Sequence, residues 1–316
     1  MTRKNLAGVA VFASFVAFGA GCGRSTVSLT PKSELEVQVN GLALMDGGSV
    51  GFGGMFQQTC DFDTESGSIG KDYDAGPGLE LVLDAAATRA VAVLDGALFE
   101  LRQADGDVLA GRALGGEGVV HARLLDQGGL LTVSAPDSGG CWLRRGEEPG
   151  LGEGVLLPDE ACSPGAALSV DRAKGTALIG GTAGLWRVQG DSRRELDGRR
   201  SDLLAFDAAI DKVYVGSRGG SSLRARHLDG ALAWDAELKG TLVGVAPLTD
   251  QSAVLVALQV EKGVRLLALD AEDGQVVGVA DIDAVEATAL VADATGAVAG
   301  LLSPDRVRFF DVDAAD

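Results

Sequence analysis

A unit of about 40 residues recurs along most of this chain, and the repeat restricts the possible folds more than any other feature does. From about residue 78 onward, short apolar runs with strand character alternate with turns rich in Gly and Asp. One run of each unit aligns with steps of 43, 44, 38, 41 and 43 residues, at Phe99, Trp142, Trp186, Arg224, Arg265 and Arg308. Clear helical stretches with a period of about 3.6 residues are missing. The sequence therefore predicts an all-β fold made of repeated units.

Each unit has room for four strands. Tight-turn dipeptides follow the aligned run where a third strand turns into a fourth, at Asp105-Gly106, Asp229-Gly230 and Asp273-Gly274. Two more apolar runs precede it, most clearly residues 203–206 and 212–216. Four strands in about 40–45 residues are typical of a propeller blade. We predict a β-propeller of about seven four-stranded blades over residues 34–316, with six blades or a β-sandwich array as alternatives.

The first and last units are incomplete in different ways. Residues 34–77 form the weakest unit, with residues 34–39 and 49–52 as its first strands and residues 55–60 as its third. The last unit stops at Asp316, directly after its third strand. Residues 26–30 could supply the missing outer strand and so remove two open strand edges.

The first 22 residues have the organisation of an export signal. Arg3 and Lys4 precede an uncharged apolar run over residues 6–20, which is shorter than the roughly 20 residues of a membrane span. Gly19-Ala20-Gly21-Cys22 resembles the lipobox of bacterial lipoproteins. The resemblance implies cleavage of a signal peptide at 1–21, lipidation of Cys22 and a tether over residues 22–33. Gly23, in place of the Asp that retains such proteins at the inner membrane, favours the outer membrane of the cell envelope.

The repeat also resembles known propeller sequences. Asp229-Gly230-Ala231-Leu232-Ala233-Trp234 is similar to a PQQ-like repeat turn, and residues 78–316 resemble the superfamily of YVTN, WD40-like and PQQ-like repeats. This resemblance implies a broad binding surface. An envelope protein is the expected partner, and a lactonase-like or quinoprotein-like enzyme or small-ligand binder that uses the central channel is the alternative.

The charge of the chain excludes one class of partner. The formal net charge is −18, and removing Arg3 and Lys4 with the signal peptide makes it −20. A chain this acidic does not bind nucleic acid by neutralising phosphates. Anionic lipid headgroups repel it as well, so a membrane attachment has to come from the N-terminal lipid.

Three cysteines remain if Cys22 carries lipid. Cys141 and Cys162 are close in sequence and lie in neighbouring strand segments, so we expect them to form a disulfide in an exported chain. Cys60 is then the odd thiol. The chain has no Cys-x-x-Cys pair, which gives metal or redox chemistry little support.

Residues with catalytic or metal-binding chemistry do not form a recognisable pattern. The two histidines, His121 and His227, are more than 100 residues apart, so we predict no His-based metal site, no catalytic residues and no cofactor. Gly180-Gly181 and Gly219-Gly220 are interpreted as β-turns. One acidic loop is a weak calcium candidate, with oxygen ligands from Asp61, Asp63, Glu65 and Asp72.

Small basic clusters stand out in this acidic chain. They are the pairs Arg144 and Arg145, Arg193 and Arg194, and Arg199 and Arg200. We interpret these pairs as a solvated or ion-paired surface, with a patch that faces a partner as the alternative. The lipobox, the repeat and the lack of a reactive group of residues together favour a non-catalytic protein-binding scaffold.

Overall fold

The computed structural model describes residues 26–315, except residues 46, 56–57, 74–81, 87–88, 95–96, 105–106, 116–117, 127, 147–153, 164 and 284–285. The signal segment and Cys22 lie outside these residues. Among the described residues, no helix is long and apolar enough to cross a membrane.

The described strands form seven four-stranded antiparallel sheets, which we number as blades in chain order. Blades 1 to 6 each contain four strands that are consecutive in sequence. Blade 7 combines the last three strands of the chain with the first described strand. The bounds are: β1 Thr26–Leu35; blade 1, β2 Leu42–Leu44, β3 Val50–Met55, β4 Gln58–Asp63 and β5 Ser68–Tyr73; blade 2, β6 Val82–Ala86, β7 Arg89–Leu94, β8 Ala97–Ala104 and β9 Asp107–Gly115; blade 3, β10 Val119–Leu124, β11 Leu130–Ser134, β12 Cys141–Gly146 and β13 Gly154–Leu157; blade 4, β14 Ala167–Asp171, β15 Thr176–Gly181, β16 Gly184–Gln189 and β17 Ser192–Asp197; blade 5, β18 Leu203–Asp207, β19 Lys212–Gly216, β20 Ser222–His227 and β21 Leu232–Glu237; blade 6, β22 Thr241–Leu248, β23 Ala253–Val260, β24 Gly263–Asp270 and β25 Val276–Asp283; blade 7, β26 Ala289–Ala292, β27 Val298–Ser303 and β28 Arg306–Ala315. Two short 3-10 helices lie at Asp159–Cys162 and Thr249–Gln251.

The seven sheets close into a ring. The innermost strand of each blade contacts the innermost strand of the next, from β2 through β6, β10, β14, β18 and β22 to β26, and β26 contacts β2 again. The predicted β-propeller is therefore confirmed, with one described sheet for every unit of the repeat, the weakest unit at 34–77 included.

Apolar contacts between neighbouring blades hold the ring together. Each of the seven interfaces contains its own cluster of buried side chains. The second strand of a blade lies between two neighbours in its own sheet and between two adjacent blades. Every residue of β11, β15, β19 and β27 is consequently buried. This double coverage explains the nearly continuous apolar runs of the repeat.

The N-terminal strand completes the last blade, as the sequence predicts. β1 pairs antiparallel with β28 from Thr26 opposite Ala315 to Leu35 opposite Val307, and it is the outermost strand of blade 7. Val27 and Leu29 are buried in the interface between blades 6 and 7.

The predicted strand boundaries in the first unit were wrong. β1 runs on to Leu35, with a register shift between Pro31 and Ser33, so residues 34–39 do not form the first strand of blade 1. That strand is β2, and the third strand is β4 at Gln58–Asp63 rather than residues 55–60. Leu35 is buried against Val307 and Phe309, and this contact keeps its segment in blade 7.

The cysteines separate into a bonded pair and a buried side chain. Cys141 in β12 and Cys162 in the first 3-10 helix form a disulfide with their Cα atoms 5.7 Å apart, the pairing favoured from the sequence. Cys60 in β4 is fully buried in the interface between blades 1 and 7.

Candidate functional site: the arginine cluster and the central channel

The ring has two end faces. The hairpin face carries the turns between the first and second and between the third and fourth strands of each blade. The connection face carries the turns between the second and third strands and the links from one blade to the next. We describe one charged cluster on the connection face and a second group of charges in the central channel.

Two of the predicted basic residues lie on the connection face. Arg199 and Arg200 belong to the link between β17 and β18, that is, between blades 4 and 5. Their side chains are 52% and 56% exposed. Both guanidinium groups can therefore be reached from solvent.

Asp197 at the end of β17 fixes one side of this cluster. Its carboxylate forms ion pairs with Arg224 at 3.2 Å and with Arg226 at 2.9 Å, both on β20 of the next blade. It also accepts a hydrogen bond from the backbone N–H of Arg199 at 3.0 Å. Burial alone would raise the pKa of Asp197, but this hydrogen bond and the arginine charges hold the pKa below its usual value. Asp197 thus stays ionised beneath Arg199.

Asp202 fixes the other side. It accepts a hydrogen bond from Nε of Arg200 at 2.7 Å and from the backbone N–H of Arg218 at 2.7 Å. Arg218 is itself exposed, and its Nη1 donates to the carbonyl oxygens of Val243 at 3.3 Å and Thr288 at 3.0 Å. We call Arg199, Arg200 and Arg218, with Asp197 and Asp202 beneath them, the arginine cluster.

The other predicted basic pairs lie elsewhere. Arg145 on β12 donates to the carbonyl oxygen of Lys174 at 3.2 Å, near the hairpin face. Arg144 lies 5.9 Å from the ring centroid of Trp142. Arg193 on β17 donates to Leu156 O in blade 3 at 3.2 Å. The six arginines therefore do not form one patch.

Sequence reasoning missed Arg218, Arg224 and Arg226. Each stands without a basic neighbour in the sequence, in the turn or the third strand of blade 5. Only the contact between blades 4 and 5 brings these residues to Arg199 and Arg200. The local signal that marks an Arg-Arg pair is missing at all three positions.

The second group of charges lies in the central channel. A cavity of about 450 Å³ is lined by residues from the innermost strands of all seven blades. Within it, Nη2 of Arg172 contacts Oδ1 of Asp84 at 2.6 Å and the carbonyl oxygen of Ala85 at 2.9 Å. Oδ2 of Asp84 accepts from the backbone N–H of Leu124 at 2.7 Å. These contacts connect blades 2, 3 and 4 across the channel wall.

The two histidines are not brought together. His121 lies on β10 of blade 3 and His227 is exposed on β20 of blade 5. Burial, and then the charge of Arg123, lowers the pKa of His121 to about 4. Among the described residues, no group of three or more His, Cys, Asp or Glu side chains has the geometry of a metal site.

The acidic loop at residues 61–72 forms a turn. Oδ1 of Asp63 accepts hydrogen bonds from the backbone N–H groups of Ser66 at 3.1 Å and Glu65 at 2.8 Å, and these bonds lower its pKa. Glu65 forms an ion pair with Lys32 of β1. Asp61 lies in β4 and Asp72 in β5, whose side chain lies outside the described residues. The Asp63 side chain thus closes the β4–β5 hairpin, and the Glu65 side chain connects this hairpin to β1.

One glycine pair differs from its sequence interpretation. Gly180 and Gly181 lie within β15 and not in a turn, and a Cβ atom on Gly180 would overlap the carbonyl oxygen of Ser201. The chain also contains a Gly-x-Ser-x-Gly spacing around Ser49. Its serine lies in the β2–β3 hairpin, whereas a hydrolase nucleophile of that spacing needs a strand-to-helix turn.

Comparison with known proteins supports the fold and does not assign the chain to a family. No protein-family model matches the chain, and no curated protein does. The chain is similar to the C-terminal WD40 domain of Sif2, with a TM-score of 0.60 and 13% identity over 88% of this chain and 82% of that one. It is also similar to the β-propeller domain of Cps50 (Swd1) from Myceliophteria thermophila, with a TM-score of 0.68 and 12% identity over 90% of this chain and 100% of that one. At these identities the likeness shows a WD40-like β-propeller fold.

Proposed function

We propose that this protein is a lipid-anchored propeller of the bacterial cell envelope that binds another envelope protein through its connection face and catalyses no reaction. One observation carries the proposal. Arg199 and Arg200 are exposed on an end face of a closed ring, and carboxylates beneath them hold their positions. The WD40-like fold of the two solved structures supports a role in protein binding.

Ordered arginines favour binding for two physical reasons. Arg is enriched among the residues that carry most of the energy of protein interfaces. Its planar group pairs with carboxylates through two parallel hydrogen bonds. Nε of Arg199 lies 3.4 Å from Asp197, and Nε of Arg200 donates to Asp202 at 2.7 Å. Because these contacts restrict the two side chains before a partner arrives, less conformational entropy is lost on binding. We therefore expect the partner to present acidic side chains to this face.

The proposed lipid on Cys22 fits the position of the closing strand. β1 begins at Thr26, so only three residues separate Cys22 from the outer strand of blade 7. Cleavage after residue 21 and acylation of Cys22 then hold the rim of the ring beside the membrane. The outer membrane, favoured by Gly23, is the proposed location. Since the mature chain carries a charge of −20, the lipid and not the protein surface provides the attachment.

The arginine pair gives a direct test. The tagged protein is purified from detergent-solubilised envelope, with Arg199→Ala/Arg200→Ala compared against wild type and against Arg193→Ala/Arg194→Ala. The control also removes two adjacent arginines, but from the outer strand β17. We expect one protein to be recovered with wild type and the control variant, and its recovery to fall at least about tenfold with the Arg199/Arg200 variant.

Two results contradict the proposal separately. Equal recovery of the partner with all three proteins shows that the arginine cluster does not bind it. An intact mass without acyl chains, or without cleavage before Cys22, contradicts the proposed lipid anchor. This result does not bear on the proposed binding face.

A further inference from the structure

Arg123 has fewer partners than a guanidinium group needs. Its side chain lies partly buried on β10, in the wall of the channel cavity. Among the described residues its one hydrogen-bond acceptor is the carbonyl oxygen of Ala122, which accepts from Nη1 at 2.8 Å. A guanidinium group has five N–H donors in a planar fork. Most of these donors have no acceptor among the described residues.

The nearest carboxylate is already occupied. Oδ1 of Asp84 is paired with Arg172, and Oδ2 accepts from the backbone of Leu124. The charges that act on Arg123 are those of Asp84 and Arg172. Asp84 thus forms its ion pair with Arg172, and no ion pair among the described residues includes Arg123. Burial lowers the pKa of Arg123, and the charge of Asp84 offsets this effect only in part. The surroundings of Arg123 therefore compensate its positive charge incompletely.

The other ionisable groups near the cavity do not form an ion pair with Arg123. His121 has a pKa of about 4, so it is neutral at pH 7. Asp171 is paired with Lys174, with Oδ2 3.3 Å from Nζ. Asp293 accepts hydrogen bonds from the backbone N–H of Val298 and from Thr295 Oγ1. Asp126 is exposed at the channel mouth. Among the described residues of the lining, Arg123 is thus the cation without an ion-pair partner.

We propose that the channel cavity binds a small organic carboxylate, whose two oxygens take the free edge of the Arg123 guanidinium. A single carboxylate matches the fork of N–H donors and gives Arg123 the ion-pair partner that it lacks among the described residues. Much of the remaining lining is apolar, with Leu44, Phe206 and Val245 among its residues, so the body of the ligand is apolar as well. A cavity of about 450 Å³ lies within the usual range for small-molecule sites. This site is separate from the arginine cluster and does not depend on the proposed protein partner.

Matched ligands test the chemistry on the unmodified protein. Calorimetric titrations of the full-length chain in detergent compare benzoate and butanoate with their uncharged amides, benzamide and butanamide, and with inorganic phosphate. We expect the carboxylates to bind at least about tenfold more tightly than the amides and more tightly than phosphate, because a charge-assisted pair is worth more than a neutral hydrogen bond. Equal affinity of acids and amides, preference for phosphate, or no binding by either acid overturns the proposal.

A variant then locates the site. Arg123→Gln should weaken benzoate binding at least about tenfold, whereas Arg193→Gln, on the outer strand β17, should leave it unchanged. Both variants are checked by thermal unfolding. If Arg123→Gln does not fold, the wild-type protein is titrated in the presence of phenylglyoxal, which modifies arginine. Benzoate must then protect Arg123 from modification, as read by peptide mass analysis, and an unprotected Arg123 contradicts the proposal.

Discussion

Single side chains on the channel wall connect blades that are not adjacent in sequence. Arg172 of blade 4 reaches Asp84 of blade 2 and, at 3.4 Å, the carbonyl oxygen of Leu124 in blade 3. The innermost strands have no further strand beside them, so their edge groups need partners from side chains or water. Asp84 and Arg172 satisfy several of these groups at once. These polar contacts therefore link three blades, in addition to the apolar contacts between neighbouring blades.

His121 makes the stability of the folded protein depend on pH. Its folded pKa of about 4 lies below the usual value of 6.5, so between these pH values the unfolded chain binds a proton that the folded protein does not. Stability is therefore lost as the pH falls from about 6.5 to about 4. We expect wild type to lose about 2–3 kcal/mol more than His121→Gln between pH 7 and pH 4, measured by urea unfolding.

The second histidine is the control for this measurement. His227→Gln alters an exposed side chain on β20 and should lose as much stability as wild type over the same pH range. Parallel pH profiles for wild type and His121→Gln would show that His121 is not the responsible group.

At this scale the sequence predicted some contacts and not others. Cys141 and Cys162 could be paired because they are close in sequence and lie in neighbouring strand segments. Arg172, with Asp84 more than 80 positions before it, could not be paired, because one repeat contains many acidic residues and closure of the ring decides which of them meet. For the same reason, the ion pair between Asp197 and Arg224 could not be predicted from the sequence.

The closing strand completes the sheet of the last blade. β1 and β28 are the first and last described strands, and they pair antiparallel in this sheet. In β1, Val27 and Leu29 point into the core between blades 6 and 7, while Thr26 and Thr30 are exposed. The alternation of buried and exposed side chains places one face of the strand against blade 6.

A change in the buried row of β1 should open the ring. Leu29→Asn places an amide where Leu29 is 2% exposed, and we expect it to lower the free energy of unfolding by about 3–5 kcal/mol. Thr30→Asn, on the exposed side of the same strand, should change it by less than about 0.5 kcal/mol. Urea unfolding compares the two, and an equal small effect of both variants contradicts a closing role for β1.

The position of this element could be predicted, whereas its exact ends could not. The repeat count showed that a fourth strand was missing after Val307–Phe310, and the run at 26–30 was the apolar segment left over. The apolar pattern continues through Leu35 and Val37 without a strong turn signal, so the sequence does not reveal where β1 ends. The register shift between Pro31 and Ser33 moves Leu35 into the core, which only the pairing with β28 determines.

The whole molecule combines an acidic surface with a localised arginine cluster. A formal charge of −18 keeps such a chain soluble and repels other acidic surfaces. Arg199, Arg200 and Arg218 give one end face a feature that an acidic partner can recognise. The ring order, the repeat length and the closing strand all follow from the spacing of apolar runs. The proposed binding face does not, because it is assembled from residues of two blades.

Site-specific photo-cross-linking of the full-length protein in its own envelope tests the proposed binding face most directly. A photoreactive residue replaces Ser221 or Lys239 on the connection face, and Asp191 or Ile210 on the hairpin face; all four side chains are exposed. We predict that both connection-face positions cross-link to the same envelope protein and that both hairpin-face positions do not. Cross-links from the hairpin face alone, or equal cross-links from both faces, would contradict the account.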